Sequence, residues 1–162
     1  MARQRTIAEG GKFKQVIHAA LYKSNEICEL LFGEDMDANS HKKRELFQDR
    51  VKSHLFIDDT IQDTGSYIFY DVTFPTIHAN TKTCYVYLYA ICHRDILDNY
   101  SKEGYFGNRA DILSQMIEDA LLNDPDIVND FGIGELSLDS VDIYNATRFY
   151  GRTMRFIVPN FR

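Results

Sequence analysis

The strongest constraint in this chain is an alternation over residues 83–93. Cys84, Val86, Leu88, Ala90 and Cys92 fall on one side, and Tyr85, Tyr87, Tyr89, Ile91 and His93 on the other. Successive side chains of a strand point to opposite faces, so this segment reads as a β-strand with one small aliphatic face and one aromatic face. The aliphatic face is the predicted core face. If helices pack on it, the tyrosine face needs a cover of its own. That cover is either a second layer within the chain or a second subunit, because Tyr offers large, stiff, amphipathic contact area.

Around this strand the periodicity switches between two values. Tyr67–Phe74 alternates with Ile68, Tyr70, Val72 and Phe74 on one side, and Pro75 is expected to end it. The loop to about Lys82 is expected to be too long for a tight hairpin. Before the strands, Phe13, Val16, Ile17, Ala20, Leu21, Ile27, Leu30 and Leu31 keep helical spacing, which predicts one helix from Gly11 or Lys12 to Leu31, stopped by Gly33. Ser40 is placed to cap a second helix, with Leu46, Phe47, Val51 and Leu55 beneath it. After the strand pair, Asn108 is placed to cap a third helix with the stripe Ile112, Leu113, Met116, Ile117, Ala120 and Leu121, ended by Asp124-Pro125. Two more strands are expected at Glu135–Tyr144 and Gly151–Val158. The order α-α-β-β-α-β-β gives an α+β fold: an antiparallel sheet of about four strands packed against helices.

A chain of 162 residues is about one domain, long enough for one core. We take 1–162 as a single α+β domain in which 34–65, with its short helix, is an insertion. Three Cys at scattered positions make no disulfide framework and read as buried thiols of a cytosolic protein. No signal peptide, membrane span or membrane partner is expected.

Net charge is −6, which argues against general binding to phosphate backbones. The charge is uneven. Residues 1–60 carry ten Lys/Arg and ten Asp/Glu, whereas 61–162 carry eight and fourteen. The stretch Asp111–Asp142 holds Asp111, Glu118, Asp119, Asp124, Asp126, Asp130, Glu135, Asp139 and Asp142 with no Lys or Arg. It reads either as a solvated acidic face or as a surface that must not hold a polyanion.

Local motifs for catalysis are weak. His93-Arg94-Asp95 and Asp130-Phe131-Gly132 imitate two protein-kinase tripeptides, but the position five residues after Asp95 is Tyr100, not Asn. Asp35-x-Asp37-x-Asn39 begins like a calcium loop, yet the sixth position is Ser40 and the twelfth Leu46. Gly132-x-Gly134 precedes a strand rather than a helix, so it is no dinucleotide fingerprint. Adjacent Cys92 and His93 point to opposite faces of a strand. We therefore expect no catalytic residues, no cofactor and no metal. The competing reading is a small cytosolic enzyme with a pocket near His93, Asp95 and Arg109.

Three segments together resemble a known family. They are the antiparallel pair Tyr67–Phe74 and Tyr85–His93, the helix opening Gly-Asn-Arg-Ala-Asp at 107–111, and the closing run Tyr-Gly-Arg-Thr-Met-Arg-Phe-Ile-Val-Pro-Asn-Phe at 150–161. Over about residues 12 to 160 the element order resembles the tail-terminator and head–tail joining proteins of tailed bacteriophages. The resemblance implies a structural virion protein, made in the host cytoplasm. It would form a homo-oligomeric ring, commonly a hexamer, that caps the tail tube, docks to the head connector and lets DNA pass unread. On that view Tyr85, Tyr87 and Tyr89 form one subunit contact. Arg148, Arg152 and Arg155 pair with acids of a neighbour or within the chain, and the acidic stretch lines the lumen. Another neck or head-completion adaptor is the nearest alternative.

Overall fold

The computed structural model describes residues 6–33, 40–55, 64–130 and 136–161, with the side chains of 40, 128–130 and 159–161 outside that description. Five strands form one sheet: β1 (Val51–Lys52), β2 (Ser66–Ile77), β3 (Lys82–His93), β4 (Ser137–Asn145) and β5 (Phe149–Phe161), in the order β1-β2-β3-β5-β4. The fold is α+β as expected, but the sheet is mixed, because the two-residue β1 runs parallel to β2 while every other pair is antiparallel.

The aliphatic face of β3 is the core. Cys84, Val86, Leu88, Ala90 and Cys92 are completely buried. Ile68 and Tyr70 of β2 and Met154, Phe156 and Val158 of β5 extend this face, and helices cover it. They are α1 (Thr6–Lys23), α2 (Asn25–Phe32), α3 (Ser40–Arg50), α4 (Arg109–Leu122) and α5 (Pro125–Asp130).

Several sequence expectations need correction. The first helix is two. Ser24 adopts extended backbone, and its hydroxyl accepts from the Ile27 amide, so it caps α2 and ends α1. A serine that offers its side chain to the backbone competes with continuing the helix. The next helix stops at Arg50: Val51 begins β1, and Leu55 is exposed rather than beneath the helix. Pro75 does not end β2. The strand passes through it to Ile77 with a register shift between Thr73 and Thr76, and a bulge is where a strand tolerates proline. Only residues 78–81 then separate β2 from β3, a short connection in which the His78 amide donates to the Thr81 carbonyl. Asp124-Pro125 does not merely close the third helix. Asp124 accepts from the amides of Asp126 and Ile127 and starts α5, with proline at its first position. The strands expected at Glu135–Tyr144 and Gly151–Val158 run over 137–145 and 149–161.

Two features fix α4 and α1 in place. Asn108 and Asp111 form a reciprocal capping box at the start of α4. Gly107, with φ of 102°, brings the chain in so closely that an added Cβ would lie 2.5 Å from the Asp111 carboxylate. At the other end of the molecule, Glu9 of α1 and Lys82 at the start of β3 form a buried ion pair, with the Lys82 ammonium 5.4 Å from the Phe74 ring centre.

Candidate functional site: the open face of the sheet

Opposite the helices, the sheet carries a second apolar cluster: Tyr67, Phe69, Ile91 and Phe149, with Tyr89 and Tyr144 packed against it. Its described members come from β2, β3, β4 and β5 alone. Tyr67 stacks on Phe69 with ring centres 6.1 Å apart, and Phe149 meets Tyr67 edge-on at 5.9 Å. These rings shield one another, as cross-strand aromatic pairs do. Arg50, the last residue of α3, lies over the Tyr67 ring at 5.0 Å.

The tyrosine row stands on this face as the alternation predicts. Tyr85, Tyr87 and Tyr89 are all half-buried. Tyr85 and Tyr87 meet edge-on at 6.2 Å, and the Arg155 guanidinium lies 4.7 Å over the Tyr85 ring. Tyr89 packs against the apolar cluster, and burial raises its phenol pKa. The residues that complete the cluster, Phe149 and Tyr144, were not singled out by sequence. Their signal was a pair of aromatics flanking the turn at 146–148, readable only once β4 is known to pair with β5.

The arginines divide. Arg152 lies on the helix side and donates to Asp111 of α4 at 2.9 Å. Arg155 lies on the open side and donates to Asp139 at 2.7 Å. Arg148 is exposed in the β4–β5 turn and makes no ion pair among the described residues. The acids also scatter. Asp111 caps α4 and pairs with Arg152, while Asp124 and Asp126 both hold Lys23, at 3.6 and 2.9 Å. Asp139 belongs to Arg155. Glu118 lines a shallow depression between α4 and β4, and Asp119 and Asp142 are exposed. The side chains of Asp130 and Glu135, the Asp35-x-Asp37-x-Asn39 loop and Phe131-Gly132 with Gly134 lie outside the described residues.

The motif residues have structural uses. The Arg94 guanidinium donates to the carbonyls of Ala146 and Thr147 and to Asn145, closing the β4–β5 turn. His93 Nδ1 accepts from the Asp95 amide at 3.2 Å, and its ring packs edge-on against Phe149. Arg109 donates to the Leu30 carbonyl at 3.0 Å and lies over the Tyr100 ring, tying α2 to α4, while its Nε is buried without a hydrogen-bond partner among the described residues. Among the described residues no group of three His, Cys, Asp or Glu is placed to hold a metal ion. No described helix is long and apolar enough to cross a membrane.

A larger cleft lies on the helix side, about 640 Å³, between α1 and α3. His18, Tyr22, Phe47 and Tyr70 form its aromatic floor, and Lys14 and Arg44 stand among its lining residues. His18 Nδ1 lies 3.0 Å from the Tyr70 hydroxyl, and burial lowers the imidazole pKa and pushes the phenol up to about 12.

No curated protein matches the chain. The profile of one protein family, YomW, matches residues 24–158, from the cap of α2 into β5, and so takes in part or all of every strand. The chain therefore belongs to the YomW family, a phage-derived family of proteins.

Proposed function

We propose that this protein is a structural component of a phage virion, a tail terminator. Its subunits close into a ring, hexameric by resemblance, that caps the tail tube and joins it to the head connector while DNA passes through. The observation that carries the reading is the open sheet face. A chain of phage-derived family presents a row of tyrosines on a rigid sheet, with no described helix laid over it. Tyr is enriched in protein contacts for its stiff, amphipathic area. Near the motifs, Arg94 closes the β4–β5 turn and Arg109 ties α4 to α2, which favours an assembly role over catalysis. The exposed Asp119 and Asp142 and the net negative charge of 61–162 suit a passage in which a polyanion must not stick.

The test is the molar mass of the purified protein by light scattering, with negative-stain images of the same peak. Ring-shaped particles of about six subunits are expected, free or on isolated tail tubes. A chain that stays monomeric alone and does not bind tail tubes overturns the reading. Replacing Asp119 and Asp142 by Lys in the assembled ring is expected to give salt-sensitive DNA retention. No retention at low salt removes the lumen assignment.

A further inference from the structure

The cleft between α1 and α3, about 640 Å³, falls within the range of about 300–1,000 Å³ usual for small-molecule sites. Its floor is aromatic and uncharged. Phe47 of α3 meets His18 edge-on with ring centres 5.0 Å apart, and Tyr22 at 5.1 Å. Burial holds the His18 imidazole neutral at neutral pH, and the Tyr70 phenol beside it keeps its proton up to about 12. The pair brings polar atoms to the floor without bringing charge. The charge stands at the walls instead. No Asp or Glu is among the described residues that line the cleft. Lys14 is already neutralised by Asp71 at 2.8 Å, and its ammonium also donates to the Ser53 carbonyl. Arg44 is exposed and makes no ion pair among the described residues. Its neighbour Lys43 makes none either and lies 4.8 Å over the Tyr22 ring.

We propose that the α1–α3 cleft binds a small planar aromatic anion, with its rings against His18 and Tyr22 and its acidic group at Arg44. Each part of the ligand answers one part of the cleft. A floor of rings favours a flat aromatic body, because rings pack on rings edge-on or offset. A guanidinium with no carboxylate of its own favours an oxyanion, to which it can present two parallel donors. A cationic ligand would meet Arg44 and Lys43 with no acid in the lining to balance them. The bound molecule bridges α1 and α3, which meet here through Phe47 on His18 and Tyr22. The site lies on the helix side and does not rest on the ring reading.

The probe is 1-anilinonaphthalene-8-sulfonate, titrated into the full-length chain and followed by its fluorescence. One saturable site per chain is expected. N-phenyl-1-naphthylamine carries the same rings without the sulfonate and is expected to bind about tenfold more weakly. Arg44→Gln is expected to weaken the sulfonate by about tenfold and to leave the amine unchanged. Ala19→Trp, at an exposed lining position on α1, fills the cleft and is expected to abolish binding of both probes. If that variant loses its native circular dichroism, Gln15→Trp replaces it. Wild-type protein without saturable binding overturns the proposal, and so does binding that survives the tryptophan variant. Equal affinity for the two probes, or an Arg44→Gln chain that holds the sulfonate as tightly as wild type, overturns the anionic class of the ligand. Subunit mass is measured separately, so none of these outcomes moves the ring reading.

Discussion

The two faces of β3 are built from different residues for different jobs. The covered face uses Cys, Val, Leu and Ala, all fully buried, because helices press on it and volume decides the fit. The open face uses aromatics, with Phe69 and Ile91 nearly as buried as any core residue although strands alone supply the described cluster. Large rings lying across neighbouring strands hide the sheet's own apolar surface and still present polar tips. A face of that kind is stable without a covering layer, which a plain aliphatic face of the same size would not be.

The contrast can be broken from either side, and the largest effect is expected from alkaline pH. Burial pushes the Cys84 thiol up to about 12, Cys92 to about 11 and the Tyr70 phenol to about 12, all on the covered face. Each group is neutral when protonated, so in this range the folded chain keeps protons that the unfolded chain has lost. Stability is therefore full below about pH 9 and falls as pH rises from about 9 to about 12. Urea midpoints across that range are expected to drop steeply, and Cys84→Ala to make the fall shallower. An unchanged slope in that variant removes Cys84 from the account.

Next in size is the loss of a core side chain. Leu113→Ala, a fully buried position on α4, is expected to cost about 2–5 kcal/mol in urea unfolding. A cost near zero would mean that α4 does not press on the sheet. Gly151→Ala probes the opposite side of β5, where an added Cβ would lie 2.0 Å from the Ala90 carbonyl oxygen. The two strand backbones would have to separate, at about 1–3 kcal/mol. Wild-type stability in that variant would show that β3 and β5 can part cheaply. The smallest stability effect is expected for Tyr87→Glu on the open face, about 1 kcal/mol or less, with a clear loss of self-association. Assembly unchanged by that substitution takes the tyrosine row out of the subunit contact.

Much of this arrangement was legible in the sequence because it is local. The alternation assigned the side chains of 84–93 to their observed faces, and Asn108 caps its helix as expected. The errors came where one residue type carries two signals. Ser24 fits the helical stripe and also caps a new helix. Pro75 is a strand breaker and also a bulge residue. Asp124-Pro125 stops one helix by starting the next. What sequence could not supply was partnership across the chain: Tyr67 on Phe149, Arg152 on Asp111 and Arg155 on Asp139 depend on strand order, and strand order is not written in any one segment. The same holds for the acidic stretch, contiguous along the chain but divided in space between caps, ion pairs and open solvent.

The bond between Glu9 and Lys82 separates kinship from architecture. The matched family segment begins at Ser24, after α1 has ended. Yet α1 places Phe13, Ile17, Ala20 and Leu21 in the main core, and Glu9 neutralises a lysine that is buried with it. A fragment trimmed to the matched span would lose α1 and the last three residues of β5, taking the Glu9 carboxylate from the buried Lys82 and baring part of the covered face to water. The core of this chain thus reaches beyond the matched span by one helix, fastened at its first turn.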